Sequence, residues 1–383
     1  MHDVIVIGGG PAGLHAAARL ANEGFDVHLF EEHDSVGSPV HCTGIVAHEA
    51  FDEFDLPRET ILNTLTFAQF FSPNGQSFSF KTDVPEAVVI DRGAFDEAMA
   101  RRALSDGVTL HAASRIVSVD PGPDHIRVKK ADGTEYAARA CILACGANYT
   151  LHRRLGLGVP SAFMQSAQIE IPVDRPQSLE LHFGRVTAPG GFAWVVPVRK
   201  DQNFARIGLM ANSCAGEFFD KFVRQISYRW GITDAKPPRR KILPIGYVPK
   251  TFGPRLLVIG DAAGLVKPTT GGGIYYGVVS AELACNVLAD ALRADVLTES
   301  VLKKYQILWQ QRLGAELKAQ SDLRTIVQEL EDPDIDSLFE LVQVDGIIPL
   351  LRRTARFNHY RHFIRELLCH PIAKEILFRT AFR

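Results

Sequence analysis

The chain has 383 residues, 46% of them hydrophobic, enough for one large or two closely packed domains. Its 42 basic and 44 acidic residues nearly cancel, and this balance excludes the basic excess that nucleic-acid binding needs. The six cysteines are scattered, with neither a Cys-x-x-Cys pair nor zinc-type spacing, so they read as thiols of a reducing cytosol.

Val4-Ile5-Val6-Ile7 is a β-branched run expected to form a buried parallel strand. It starts almost at the first residue without a basic leader, so no signal peptide is expected. Gly8-Gly9-Gly10-Pro11-Ala12-Gly13 follows, then a helical segment from Leu14 to Ala21 that stops near Gly24. Phe25–Phe30 reads as the second strand, closing at Glu31 and Glu32, and completes a βαβ start. In Gly8-x-Gly10-x-x-Gly13 the first glycine permits the tight turn and the second lets backbone approach a pyrophosphate. The third permits close helix–strand packing. The helix N-terminus offers free N–H groups to phosphates, and Glu31 stands where an acid accepts from a ribose 2′-hydroxyl. These features predict a dinucleotide site for FAD or NAD, and the acid disfavours NADP.

Further along, Phe67 to Ile90 holds short aromatic-rich runs, and Asp91–Ser105 has helical periodicity. Ile116–Val119, Ile126–Lys130 and Tyr136–Ala144 read as strands, as do Gln168–Val173, Leu179–Phe183, Ala193–Val198 and Phe204–Met210. Arg255–Gly260 returns to a buried parallel-type strand, and from about Tyr275 the pattern is helical. No run of about 20 apolar residues is present, so no bilayer span is expected. The expected class is α/β: a Rossmann-type FAD-binding domain with an inserted antiparallel-sheet substrate domain and a helical C-terminal region. The expected boundaries are 1–160, with a strand-rich excursion near 62–90, and 251–295 for the cofactor domain. The substrate sheet takes 161–250 and the helices 296–383.

Val258-Ile259-Gly260-Asp261-Ala262-Ala263-Gly264 resembles the second flavin motif of glutathione-reductase-type FAD proteins, and Asp91-Arg92 resembles their Asp-Arg helix start. Continuing through Leu265 to Ile274, with Gly271-Gly272-Gly273, the string resembles the geranylgeranyl reductase family, which saturates C=C bonds of polyprenyl chains. Two more segments are similar to that family: Pro189 to Pro197, around Phe192 and Trp194, and Cys42-Thr43-Gly44 after Gly37-Ser38-Pro39. Phe192 stands where the family often has Tyr, so a phenol's role is not carried over. The resemblance implies an FAD site at Gly8, Gly10, Pro11, Ala12, Gly13, Glu31, Glu32, Cys42 and Arg92. It continues through Ala144, Gly146, Gly260, Asp261, Gly272, Gly273 and Ile274. It implies substrate contacts at Phe192, Trp194 and Pro197. His41, Cys42 and Tyr275 are the candidate proton donors, because an isolated alkene needs alignment and a proton source.

The expected function is hydride transfer from reduced flavin to polyprenyl double bonds, fed by NAD(P)H or ferredoxin. The alternatives are an electron-transfer or quinone-reducing flavoprotein and an aromatic hydroxylase. Ala144-Cys145-Gly146 and Gly271-Gly272-Gly273 depart from hydroxylase patterns, and an iron–sulfur cysteine cluster is absent. Between Pro349 and Arg383 eight Lys or Arg residues face Glu366 and Glu375 alone, with Leu, Ile and Phe interleaved. That amphipathic, basic pattern reads either as a solvated helical pair or as a surface for anionic lipid or ferredoxin. The expected location is cytoplasmic, with membrane association through this segment.

Overall fold

The computed structural model describes all residues except 175–177, 200–201, 234–235, 345–346 and 379–383. Arg379 and Arg383 of the basic C-terminal segment lie outside the described residues.

Five parallel strands form the spine of the first sheet, in the order Leu256–Val258, Glu135–Leu143, His2–Ile7, Val27–Phe30 and Thr109–His111. Val4 to Ile7 are buried on both faces, which is why this run is continuously apolar instead of alternating. Pro11–Asn22 supplies the right-handed crossover between the first two strands. Its Ala16 and Ala17 are small enough to let the helix lie close to the sheet, and Pro11 fits the first turn, where no N–H bond is lost. Helix Ile274–Arg293 lies beside it, and a Cβ on Gly277 would stand 3.4 Å from the Ala12 methyl.

The second sheet has seven strands, running from edge strand Arg239–Ile245 through Ala162–Pro172, Gln202–Ala211, Phe192–Arg199 and Leu179–His182 to Phe67–Phe71 and Ser77–Lys81. One face is covered by helix Ala215–Trp230, whose Phe219, Phe222, Ile226 and Trp230 pack on Ala193, Val195, Ile207 and Leu209. The helix ends at Gly231, in the left-handed conformation that favours glycine.

Two expectations are corrected here. The strand-rich excursion does not stay with the cofactor domain. Ile61–Leu65 and Ala87–Ile90 join Ile45–Ala47 in a three-stranded sheet, while Phe67–Phe71 and Ser77–Lys81 complete the seven-stranded one. The hairpin alternates Phe78 and Phe80 with Ser77, Ser79 and Lys81, and its apolar side needs cover. Phe70 stacks on Phe78, and Phe183 and Phe339 close over them. Nor is the sheet wholly antiparallel, because Leu179–His182 pairs with Phe67–Phe71 in parallel.

From Ile274 onward the described elements are helices. Glu299–Trp309 belongs with the cofactor domain, because Tyr305 donates to the Val258 carbonyl at 2.9 Å and Trp309 Nε1 donates to Thr251 at 2.9 Å. In Ile347–Thr354, Arg361–Cys369 and Pro371–Phe378 most apolar residues turn inward, with Ile372 left exposed. Ile347, Ala373 and Ile376 form a cluster with Leu341, and Ile364 is buried as well. The amphipathic stripe of this segment is thus taken up by intramolecular packing. Among the described residues no helix is long and apolar enough to cross a membrane.

Candidate functional site

A cavity of about 1010 Å³ opens at the carboxyl ends of the parallel strands and runs towards the second sheet. It is lined by both halves of the molecule: the glycine loop, residues 31–42, the 144–148 turn, Gly260-Asp261, and Arg240 to Leu243 of the edge strand.

The glycine loop is shaped by three separate demands. Gly8 has φ +113°, and a Cβ there would lie 2.3 Å from the Ala144 carbonyl oxygen. A Cβ on Gly13 would lie 2.0 Å from the Gly8 carbonyl oxygen, so helix and turn could not close together. Gly10 is different: no atom lies within 4 Å of its absent Cβ, and it lines the cavity. That open approach to backbone, at the positive end of helix Pro11–Asn22, suits a pyrophosphate. Buried Glu31 accepts from the Gly9 N–H at 2.6 Å and from the His33 N–H at 3.0 Å. An elongated dinucleotide fits this lining.

Of the residues read from sequence, the structure brings Gly8, Gly10, Pro11, Ala12, Glu31 and Glu32 to one end of the cavity. His41, Cys42, Arg92, Ala144 and Gly146 line its middle, and Gly260, Asp261, Gly273 and Ile274 its far wall. Gly13 and Gly272 stand behind the lining. Tyr275 does not reach it: its hydroxyl donates to Glu53 at 2.8 Å, on the side facing Phe54 and Arg312. Residue 275 is one step past Ile274 on a helix, so its side chain points about 100° away from the Ile274 face. Phe192, Trp194 and Pro197 are also outside the lining. Phe192 and Trp194 belong to an apolar layer with Met164, Val196, Met210 and Ile245, and the Trp194 ring covers Gly208. Pro197 falls on the other strand face by alternation and accepts from Asn63 through its carbonyl.

The Cys42 loop is held electrostatically. Cys42 Sγ accepts from the Gly44 N–H at 3.2 Å and stands in the field of the Arg92 guanidinium. Arg92 donates both Nε and Nη2 to Asp96, each at 2.8 Å. Burial opposes the guanidinium charge, but the facing Asp96 outweighs it and pushes the Arg92 pKa up. His41 is pushed down by burial and by nearby Lys241, so it is neutral at pH 7. Its Nε2 contacts the Arg239 carbonyl at 3.1 Å, and a carbonyl only accepts, so Nε2 carries the proton.

Several site residues escape sequence reading. Arg206, buried at 5% exposure, donates Nη1 to the carbonyls of Thr43 and Ile90, each at 2.8 Å, and Nε to Glu170 at 2.7 Å. It fastens the cysteine loop to the seven-stranded sheet. Lys267 runs under the glycine turn, its Cδ 3.6 Å from where a Gly272 Cβ would be, and donates to the Phe357 carbonyl at 2.5 Å. Burial pushes this amine down to about 7, against the pull of Glu316 and Glu49. Gln165, Ser166 and Lys241 line the cavity from the second sheet. The basic run Arg239-Arg240-Lys241, beside apolar residues, was the available signal for the last of these.

His152 supports the far wall, with Nε2 donating to the Ala262 carbonyl at 2.8 Å. Burial pushes it down to about 4, from 6.5. A depressed pKa of this kind means the unfolded chain takes up the proton first. The stability it contributes is fully present above pH 6.5 and is lost as pH falls towards 4. We expect up to about 3 kcal/mol of acid destabilisation from this residue. Chemical denaturation across pH 7 to 4 checks it: His152→Gln should flatten the slope, and an unchanged slope contradicts the assignment.

Comparison with known proteins places these features in context. The pyridine nucleotide-disulphide oxidoreductase family matches residues 2–172. A digeranylgeranylglycerophospholipid reductase of Methanopyrus kandleri is 31% identical over 372 residues, covering 91% of this chain and 92% of its own. The crystal structure of a geranylgeranyl bacteriochlorophyll reductase-like protein from Thermoplasma acidophilum superposes with a TM-score of 0.84 at 21% identity, covering 98% of both chains. A halogenase solved with phloroglucinol and FAD superposes at 0.70 with 18% identity, covering 99% of this chain and 85% of its own, and shares the fold.

Proposed function

Because the chain belongs to the geranylgeranyl reductase family of FAD-dependent oxidoreductases, we propose that it saturates C=C bonds of polyprenyl lipid chains by hydride transfer from bound FAD. The observation that carries this reading is the apolar layer adjoining the cofactor cavity. Leu243 lines the cavity, packs on the Met164–Trp194–Met210 layer and touches the Gly271 turn, 3.0 Å from where a Cβ would be. A hydrocarbon chain lying along Leu243 would therefore enter beside the flavin-facing turn with little polar surface to desolvate.

FAD, when bound, supplies a two-electron carrier that gives up hydride at its isoalloxazine ring. Gly10 and the Pro11 helix end would hold its pyrophosphate, and Glu31 would take a ribose hydroxyl. Helix Ile274–Arg293 begins at the cavity-lining Gly273 and Ile274, so its N-terminus would stabilise negative charge on a reduced flavin. Cys42 would present its thiol to the alkene as the proton source, with the Gly44 N–H holding the sulfur and Arg92 beside it. His41 serves as wall, because its one proton is committed to the Arg239 carbonyl. Phe192 and Trp194 form the back of the prenyl path. Reducing equivalents come from NAD(P)H or ferredoxin, and the lipid substrate brings the protein to the membrane surface.

Cys42→Ala should lower prenyl turnover about 100-fold while FAD stays bound, the size expected for losing a positioned proton donor. Turnover at the parent rate would return Cys42 to a packing role. Product mass per bound flavin is the measurement.

A further inference from the structure

A cluster of histidines stands at the opposite end of the parallel strands from the cofactor cavity. His2 opens strand His2–Ile7, Asp26 precedes strand Val27–Phe30, and His28 lies within it. Parallel pairing of these two strands brings the three side chains to one place. His2 Nδ1 lies 2.7 Å from Asp26 Oδ2, and His28 Nε2 lies 3.4 Å from Asp26 Oδ1. One potential ligand atom from each residue falls within 4.8 Å of the other two. Tetrahedral ligands about 2.0–2.1 Å from a zinc ion are about 3.3 Å apart, close to the 2.7 and 3.4 Å found here, and the His2 and His28 rings, whose centroids lie 3.5 Å apart, must part for both to ligate one ion.

The surroundings favour ligation. His28 Nδ1 and His111 Nε2 are 2.9 Å apart, so one donates to the other. When Nδ1 of His28 is the donor, its Nε2 is left bare and directed at Asp26, and a second imidazole fixes the ring as outer partners of metal-bound histidines do. One face of the sheet at this point is stiffened by ring contacts among His28, Phe30, His111 and Tyr136. His2 and Asp26 remain partly open to solvent, which gives an ion a way in and leaves a fourth position for water.

We propose that His2, Asp26 and His28 form a binding site for a borderline divalent transition metal of the zinc type, with His111 as the outer-shell partner of His28. Two imidazoles and one carboxylate match that class and disfavour magnesium or calcium, which prefer all-oxygen shells. None of the three residues lines the cofactor cavity. His2 lies about 20 Å from Gly8 along its strand, while His28 lies two residues before the cavity-lining Phe30. The ion therefore clamps the first two strands and takes no part in reduction. It binds the folded chain alone, because the unfolded chain has no reason to hold residues 2, 26 and 28 together.

The test uses the full FAD-loaded chain, freed of metal, and zinc ions alone. Titration calorimetry should show one equivalent with a Kd on the order of 1 µM, and zinc should raise the thermal midpoint. His2→Ala and Asp26→Asn should each weaken binding at least about tenfold while flavin content is unchanged. Their metal-free melting points check folding, and the conclusion rests on a variant that keeps the parent value. A Cys214→Ser/Cys369→Ser control removes the two exposed thiols and should leave binding intact. The proposal is overturned by a titration with no saturable equivalent. It is also overturned by a site whose affinity ignores both His2→Ala and Asp26→Asn, or is lost with the two cysteines.

Discussion

Replacing Gly10 by alanine should separate cofactor binding from folding. No protein atom lies within 4 Å of the added methyl, and the backbone at Gly10 is extended at φ −80°. The apo chain should therefore lose no more than about 1 kcal/mol, the scale of an N-cap change. The methyl does occupy the space through which a pyrophosphate approaches the helix end, so FAD affinity should fall at least about 100-fold. Gly8→Ala and Gly13→Ala should behave differently. Their methyls would meet backbone carbonyl oxygens at 2.3 and 2.0 Å, and Gly8 also sits at φ +113°. Both should destabilise the chain itself by several kcal/mol, with FAD loss as a consequence. Fluorescence titration with FAD, set beside chemical denaturation of the apo forms, distinguishes the two classes. A Gly10→Ala protein that binds FAD as the parent does would remove the pyrophosphate from this loop.

Arg206→Met should be the most damaging substitution outside the glycine loop. It removes the donor shared by the Thr43 and Ile90 carbonyls and leaves both without it inside the protein. Breaking such a buried charge network costs about 3–5 kcal/mol. The loss is also directional, because Thr43 follows Cys42 and Ile90 precedes the Asp91 cap of the Arg92 helix. We expect a lower thermal midpoint together with a fall in kcat larger than any change in FAD occupancy. Arg206→Lys should recover less than half of the stability, because an ammonium cannot fork to two carbonyls and Glu170 in one plane. A Met variant as stable as the parent would contradict the bridging role.

These two residues mark what the sequence makes legible. Gly8, Gly10 and Gly13 stand within one strand–turn–helix unit and leave a local signature of spacing and composition, even though the close approach that requires Gly8 is to the distant Ala144. Arg206 acts across 163 residues on Thr43 and 116 on Ile90, and no local pattern announces it. The same holds for Lys267, whose partner Phe357 lies 90 residues away. The hairpin Phe67–Lys81 was legible as strands, yet its sheet depended on a parallel pairing with Leu179–His182 that alternation cannot specify. Tyr275 shows the converse limit. It neighbours the conserved-looking glycine string in sequence, but helical rotation turns it to Glu53. Trp194 and Phe192 keep their aromatic neighbourhood while lying one layer behind the cavity wall.

The account rests on bound flavin meeting a prenyl double bond, and one anaerobic experiment reads that step directly. The FAD-loaded protein is reduced with dithionite and mixed with a geranylgeranyl-bearing lipid, and flavin absorbance and product mass are followed together. The account predicts flavin reoxidation with a gain of two hydrogens for each bond saturated. Flavin that stays reduced with every prenyl lipid, yet reoxidises rapidly with a quinone, would contradict it and favour electron transfer.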